Sequence, residues 1–240
     1  MQGNRRSGAP DYSIRHIPSF ASLSDYVIQD VNEALVPTPQ AAGTVLYSQN
    51  DKPLGVYLLF TGKAKLTAVV ATGKTALLRI SQPGELLGLN AAMAQRPHMA
   101  AARIMEDSQV GLLRREELVN LMERHPQLAL AVAQRLASDC AEALTEMLFL
   151  RVTTTTLQRL AMLILRWSGA NSARRHEIPI LYTQAEIGQI IGASRETVTR
   201  LMKQLERKGC ISVSHSQLKI IDQHSMKKIA RIAGKISSAM

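Results

Sequence analysis

Short apolar runs alternate with turn residues through the middle of the chain. Between Gly43 and Leu113 the runs are "TVLYSQ", "GVYLLF", "KAKLTAVV", "KTALLRI", "MAAARIM" and "QVGLLR", and turns separate them every 8 to 12 positions. Strands of this length and spacing are typical of an antiparallel roll or sandwich. A helix is predicted before them, from Leu23 to Leu35, and Pro37 and Pro39 end it.

A long helix is predicted after the strands. His125-Pro126 breaks one short helix, and Pro126 suits the first position of a longer one. Small or apolar residues then recur at steps of three and four, as in a coiled-coil seam. The seam consists of Ala129, Val132, Leu136, Cys140, Ala143, Met147 and Leu150. We expect it to pair with a second copy of the chain because the apolar stripe is narrow; packing of the stripe on the roll is the alternative.

Two further helices are predicted in the stretch "TQAEIGQIIGASRETVTRLMKQLERKG", residues 183–209. Thr183 and Glu186 match a capping box, Gly192 permits a tight turn, and Ser194 suits the cap of the second helix. The runs "ISVS" and "QLKII" that follow predict a two-stranded wing. The tail "HSMKKIARIAGKISS" predicts a basic amphipathic helix, which we expect to dock on this domain; contact with phosphate or a membrane is the alternative.

The second of these helices separates polar from apolar residues on a helical wheel. The apolar set is Val198, Leu201, Met202 and Leu205, and the polar set is Arg195, Glu196, Thr199, Arg200 and Lys203. Arg can donate two hydrogen bonds to guanine, and Glu can accept one from cytosine. A helix that enters the major groove needs such side chains in its first two turns. Thr183 and Lys203 are better placed for phosphate than for base edges.

Positive charge is concentrated at the C-terminal end. Residues 1–150 contain 14 Lys/Arg and 14 Asp/Glu, whereas residues 151–240 contain 15 and 5, so the whole net charge of +10 lies there. This polarity favours a polyanionic partner for the C-terminal part. A solubilising surface is the alternative.

Composition narrows the class of protein. With 240 residues and 46% hydrophobic content, the chain can bury ordinary cores. No apolar run is long enough for a membrane span, and the N-terminus lacks the pattern of a signal peptide, so we expect a cytoplasmic protein without membrane contact. Cys140 and Cys210 lie 70 positions apart without metal-ligand spacing, so neither a metal site nor an iron–sulfur cluster is expected. No nucleophile–base pair or phosphate-cradling glycine loop is found, which argues against an enzyme.

The stretch "TQAEIGQIIGASRETVTRLMKQLE" closely resembles the winged helix-turn-helix of the Crp/Fnr family of bacterial transcription regulators, and the run Ser194 to Arg200 is its most specific part. The resemblance covers nearly the whole chain. It implies an α+β fold with an antiparallel β-roll of the cyclic-nucleotide-binding, jelly-roll type, a long dimerisation helix and a C-terminal winged helix-turn-helix. The domains would be residues 1–36 (tail and helix), 37–114 (roll), 115–150 (dimerisation helix) and 151–240 (DNA-binding domain).

The sequence matches the family's effector-binding motif poorly. Cyclic AMP receptors follow the pattern Pro-Gly-x-x-x-Gly-Glu-Leu, with Arg-Ser ten residues beyond the Glu. Here Leu89 replaces the Glu, and Met99-Ala100 replace Arg-Ser. A buried phosphate without its Arg would be an unpaired charge, so cyclic AMP is not expected. Arg96 and Arg103 are nearby and are the candidates for binding an effector in a shifted mode; the alternative is that each is a surface arginine. The N-terminus lacks the cysteine cluster that the iron–sulfur branch of the family uses.

His16 and His98 are lone histidines and poor candidates for haem ligands. The cofactor is therefore unknown: either an unidentified small effector in an apolar roll or none.

By the resemblance, the chain is a homodimeric transcription factor. Arg195, Glu196 and Arg200 would read a TGTGA-like half-site of double-stranded DNA, and RNA polymerase would be a further partner. The alternative is an architectural DNA-binding protein of low sequence preference, driven by the charge of residues 151–240.

Overall fold

A computed structural model describes residues 13–69, 73, 75–152, 155–170, 177–179, 182–214 and 217–230. The chain divides into two compact units, Met1–Cys140 and Ala141–Met240. The four-domain division predicted from the sequence is finer than this, and its boundaries stay a prediction. Within the described residues, no helix is long and apolar enough to cross a membrane.

The first unit begins with two short 3-10 turns, Ile14–His16 and Pro18–Phe20. Its helices are α1 (Asp25–Ala34), α2 (Leu89–Ala94), α3 (Arg115–Arg124) and the start of α4 (Pro126–Val152). Its strands are β1 (Pro37–Gln40), β2 (Val45–Tyr47), β3 (Gly55–Leu59), β4 (Ala64–Val69), β5 (Thr75–Ser81), β6 (Leu86–Leu87), β7 (Ala101–Ile104) and β8 (Ser108–Arg114). α1 lies within the predicted helix from Leu23 to Leu35, and α4 begins at Pro126 as predicted.

The strands form two four-stranded antiparallel sheets, with orders β1-β8-β3-β6 and β2-β7-β4-β5. Tyr57 and Leu59 of β3 share a core cluster with Tyr47 and Ile104 of the other sheet, so the two sheets pack face to face. The prediction of an antiparallel roll is confirmed.

β3 reads "GVYLL" without an alternating polar residue, and all five of its residues are buried. The reason is that both of its faces are covered. Val56 and Leu58 face a second cluster, to which α1, α3 and the start of α4 contribute. His125, at the α3–α4 joint, contacts α1 through Asp30, with 2.7 Å between Nε2 and Oδ2.

The second unit contains helices α5 (Thr156–Ala170), α6 (Gln184–Ile191), α7 (Arg195–Arg207) and α8 (Gln223–Ile229). Its strands β9 (Glu177–Pro179), β10 (Ile211–Ser214) and β11 (Gln217–Ile220) form an antiparallel sheet in the order β10-β11-β9. All four helices and the strands β10 and β11 contribute to a single core cluster.

The β10–β11 hairpin confirms the predicted wing, whose turn at residues 215–216 lies outside the described residues. The third strand, β9, was not predicted from the sequence. It has only three residues and ends in a proline, so no alternating pattern could develop; its pairing with β11 defines it.

Candidate nucleic-acid interface

Helices α6 and α7 form a helix-turn-helix, and each begins at a capped residue. Thr183 Oγ1 accepts a hydrogen bond from the Glu186 amide at 3.2 Å, and the Glu186 carboxylate accepts one from the Thr183 amide at 2.8 Å. The chain then turns at Gly192, which has φ 67° and lies in the left-handed region. Ser194 Oγ accepts from the Thr197 amide at 3.2 Å and starts α7. The predicted caps and turn are confirmed.

The turn between the two helices is closely packed. A Cβ on Gly188 would lie 2.5 Å from the carbonyl oxygen of Ala193, so this position accepts no larger residue without movement. Arg159 of α5 donates from Nε to the carbonyl oxygen of Ile191 at 2.7 Å and satisfies the end of α6. The relative placement of α6 and α7 is therefore set by buried contacts and backbone interactions.

α7 buries one face and exposes the other. Its buried residues are Val198, Leu201, Met202 and Leu205. On the opposite side Arg195, Glu196, Arg200 and Lys203 are exposed, and Thr199 is half-buried. We call these five residues the reading face. The separation of polar from apolar residues predicted from the wheel is confirmed, and the structure brings the predicted base-reading residues together on one helix face.

The carboxylate of Glu196 is held in its ionised form. Hydrogen bonds from its own backbone amide and from Ser194 lower the pKa of Glu196 below its ordinary value, and the adjacent Arg195 charge acts in the same direction. An ionised carboxylate only accepts hydrogen bonds, which suits the amino group of cytosine. Glu196 is therefore a hydrogen-bond acceptor at neutral pH, as an exposed carboxylate ordinarily is.

Gln184, the first residue of α6, also reaches the reading face. Its Oε1 accepts a hydrogen bond from Thr199 Oγ1. Sequence reasoning did not include Gln184 in the site, and no local signal marks it, because the two residues lie 15 positions apart. Only the packing of α6 against α7 brings them together.

The wing and α8 pack on the unit that contains α6 and α7. Glu206, near the end of α7, accepts a hydrogen bond from the Val213 amide of β10 at 3.2 Å. Met226 and Ala230 are fully buried in the core of the unit, and Ile229 packs against it. The described part of the basic tail helix therefore docks on the domain, as predicted; residues 231–240 lie outside the described residues.

The positions that hold cyclic AMP in its receptors carry no equivalent groups here. Leu89 is buried in the apolar cluster of the first unit, and Ala100 is also buried. Met99 is 88% exposed. Arg103, a candidate from the sequence, points outward and donates from Nη1 to the carbonyl oxygen of Gly43 at 2.8 Å. The structure therefore does not bring Arg103 into the roll interior.

The other effector candidate, Arg96, is exposed next to α2. The roll interior instead contains a stacked pair that the sequence did not reveal, Tyr47 and His98, with ring centroids 3.7 Å apart. Burial raises the pKa of Tyr47 to about 12 and lowers the pKa of His98, so both rings are neutral near pH 7. His16, the second candidate haem ligand, has no described side chain.

The predicted dimer seam divides into two parts. Val132 is 2% exposed and belongs to the apolar cluster formed with α1, α3 and the roll, so the prediction that it faces a partner is wrong. Ala129 and Leu136 are half-buried, whereas Cys140 and Ala143 are exposed. The side chains of Met147 and Leu150 lie outside the described residues.

A different stripe of α4 is exposed. It repeats at steps of three and four and consists of Leu130, Ala133, Ala137, Cys140 and Leu144, which we call the outer stripe. Leu130 is 62% exposed and Leu144 is 56% exposed. The outer stripe shares Cys140 with the predicted seam. Its other residues lie about 100° around the helix from the residues of that seam.

A β-roll unit and a winged helix-turn-helix unit with a charged, exposed second helix define a DNA-binding regulator. Known families match in the same order: a cyclic nucleotide-binding domain over residues 39–125 and a Crp-like helix-turn-helix domain over residues 158–229. The chain belongs to the Crp/Fnr family of transcription regulators.

Individual relatives agree with this assignment. The transcriptional regulatory protein btr of Bordetella pertussis is 26% identical over 190 residues, which are 78% of this chain and 78% of that protein. An anaerobic regulatory protein of Pasteurella multocida is 27% identical over 195 residues, 80% of this chain and 71% of that protein. The structure of FixK2 from Bradyrhizobium japonicum, 22% identical, covers 83% of this chain and 100% of its own with a TM-score of 0.71, which shows the shared fold.

Proposed function

We propose that this regulator is a homodimer that reads a TGTGA-like palindromic site in the major groove. The observation that carries the proposal is the reading face: Arg195, Glu196 and Arg200 are exposed within the first two turns of α7, while the opposite face is buried. The arginines supply bidentate donors for guanine, and Glu196 supplies an ionised acceptor for cytosine. This set of groups suits a half-site that contains G·C pairs.

Other residues would position the protein on the backbone. Lys203 is exposed on α7, beyond the base-reading residues, and offers a point charge to phosphate. Thr183 and Ser194 stand at the starts of α6 and α7, where amide groups and the helix dipole favour a phosphate. Thr199 lies among the base-reading residues. The phosphate contacts of Lys203, Thr183 and Ser194 would add affinity for every sequence alike.

The dimer would form through the outer stripe of α4. An apolar stripe at steps of three and four is what a parallel helix pair buries, and Leu130 and Leu144 are exposed on this stripe in one copy. Two copies related by a two-fold axis would present their reading faces to successive major grooves, about 34 Å apart. A signal in the roll would act by shifting this helix pair, with a coupling of about 1 to 3 kcal/mol.

The controlling signal would be an effector other than cyclic AMP, or the protein would be active without one. Buried Leu89, exposed Met99 and the outward Arg103 support this, since none of them can pair with a phosphate inside the roll. The Tyr47–His98 stack fills part of the interior with the chain's own rings. As a transcription regulator, the protein would also meet RNA polymerase.

Selection of binding sites from random duplex DNA, with purified protein, no added ligand and near-physiological salt, tests the proposal. A two-fold symmetric motif with TGTGA-like arms is expected. Inserting two or three base pairs between the arms should abolish tight binding, because it turns one half-site away from its reading face.

One observation favours a second function, architectural binding of DNA: the net charge of +10 lies entirely within residues 151–240. That function predicts equal affinity for unrelated duplexes and a steep dependence on salt. Recovery of no motif, together with this behaviour, would replace the first proposal by the second.

A further inference from the structure

The hydrogen bond between Gln184 and Thr199 lies where the first helix meets the reading face. Thr199 follows Arg195 by one helical turn and lies between Arg195 and Arg200 on the polar side of α7. Gln184 is exposed and approaches from the start of α6. The pair therefore stands among the groups that would face base edges.

The hydroxyl of Thr199 is occupied within the protein. Its Oγ1 is placed to donate to Gln184 Oε1 and to the Arg195 carbonyl oxygen, the latter at 3.0 Å. A threonine hydroxyl has one proton, so these two acceptors use its whole capacity as a donor. The methyl group of Thr199 takes no part in these hydrogen bonds.

The packing of α6 on α7 does not need this hydrogen bond. Ile187 and Ile191 of α6 and Val198 of α7 are buried in the same core cluster, and Gly188 lies in close contact with Ala193. A hydrogen bond between exposed side chains adds little to such a contact. Its effect is on the orientation of Thr199.

We propose that Gln184 is a positioning residue that fixes Thr199 so that its methyl group contacts the 5-methyl group of a thymine in each half-site. Threonine methyl groups make this apolar contact with thymine in the major groove. The inference rests on the proposed function, since it assumes that α7 enters the groove. It adds one T·A pair to what the charged residues of α7 read.

Deoxyuridine substitution tests the contact directly, because uracil differs from thymine only by this methyl group. In the selected site, each thymine would be replaced in turn, and the affinity of the full-length protein measured by fluorescence anisotropy. At one position of each half-site we expect binding to weaken about fourfold, the factor for loss of one buried methyl-sized group. Other thymines should tolerate uracil within about twofold.

Variants assign the effect to the pair. Thr199→Ser removes the methyl group and should lose the uracil effect. Thr199→Val lacks the hydroxyl but carries methyl groups at both γ positions, so it should keep the effect without the hydrogen bond to Gln184. Gln184→Ala should reduce it below about twofold, and Gln184→Glu, which retains an acceptor, should restore it despite weaker overall binding. Gln189→Ala, an exposed glutamine of the same helix, is the matched control and should behave as wild type.

The outcomes separate this inference from the proposed function. A selected palindrome that tolerates uracil at every thymine would overturn the inference alone. A uracil effect that is unchanged in Gln184→Ala would overturn the role of Gln184. Recovery of no motif, together with equal affinity for unrelated duplexes and a steep dependence on salt, would reject both proposals.

Discussion

Truncation of Leu144 to alanine tests whether the outer stripe of α4 is the dimer interface. The side chain is 56% exposed in one copy, and Leu130, on the same stripe, is 62% exposed. Full burial of a leucine contributes about 1.5 to 3 kcal/mol, so burial of the exposed part contributes about 1 to 2 kcal/mol in each copy. Alanine keeps the Cβ and loses the rest.

Because the variant carries the change in both copies, Leu144→Ala should cost about 1.5 to 3 kcal/mol per dimer. The dimer Kd should rise about 10- to 150-fold. Leu130→Ala should have an effect of the same size. The two positions lie about 21 Å apart along the helix, so their effects should multiply in the double variant.

Sedimentation velocity over a dilution series would measure the Kd of each variant. Leu54→Ala is the matched control, since Leu54 is 58% exposed but lies in the roll, outside α4, and its dimer Kd should not change. If Leu144→Ala dimerises as tightly as wild type, the outer stripe is not the dimer interface. A dimer that tolerates this change but is broken by Ala143→Glu would instead support the seam predicted from the sequence.

Substitutions in the DNA-binding unit and in the roll should change DNA binding and stability in different ways. Arg195→Ala should weaken DNA binding by about 1 to 3 kcal/mol and relax specificity at one guanine, whereas Lys203→Ala should weaken binding to all sequences alike and lower the salt slope by about one. Repeated site selection would measure this, and unchanged specificity in Arg195→Ala would contradict the assignment. Leu205 is fully buried, so Leu205→Ala should lower the free energy of unfolding by about 2 to 5 kcal/mol, as measured by urea denaturation. Burial lowers the pKa of His98 in the folded state, so the unfolded chain binds a proton at this residue more readily than the folded chain does. The contribution of neutral His98 to the free energy of unfolding is therefore fully present above about pH 6.5, the ordinary pKa of histidine, and is lost as the pH falls through the folded-state pKa. His98→Phe, which keeps a ring against Tyr47, should flatten that dependence; an unchanged pH profile would show that His98 does not cause it.

Local sequence was enough to predict the elements that carry the function. The capping box of Thr183 and Glu186, the turn at Gly192 and the two faces of α7 depend on residues within a few positions of one another. Such patterns follow from helix geometry and side-chain chemistry alone. For the same reason, the spacing of apolar runs was sufficient to predict six of the eight strands described in the roll; β1 and β6 lie outside those runs and are defined by their pairing with β8 and β3.

Tertiary structure decided which face of each element is buried and which is exposed. α4 carries two apolar stripes, and only the packing of α1, α3 and the roll shows that Val132 is buried, leaving Leu144 exposed. The contact of Gln184 with Thr199 and the stacking of Tyr47 on His98 join residues far apart in sequence. Periodicity within a segment predicts that a face is apolar or polar, but the partner of that face is set by distant segments, whose positions only the folded chain defines.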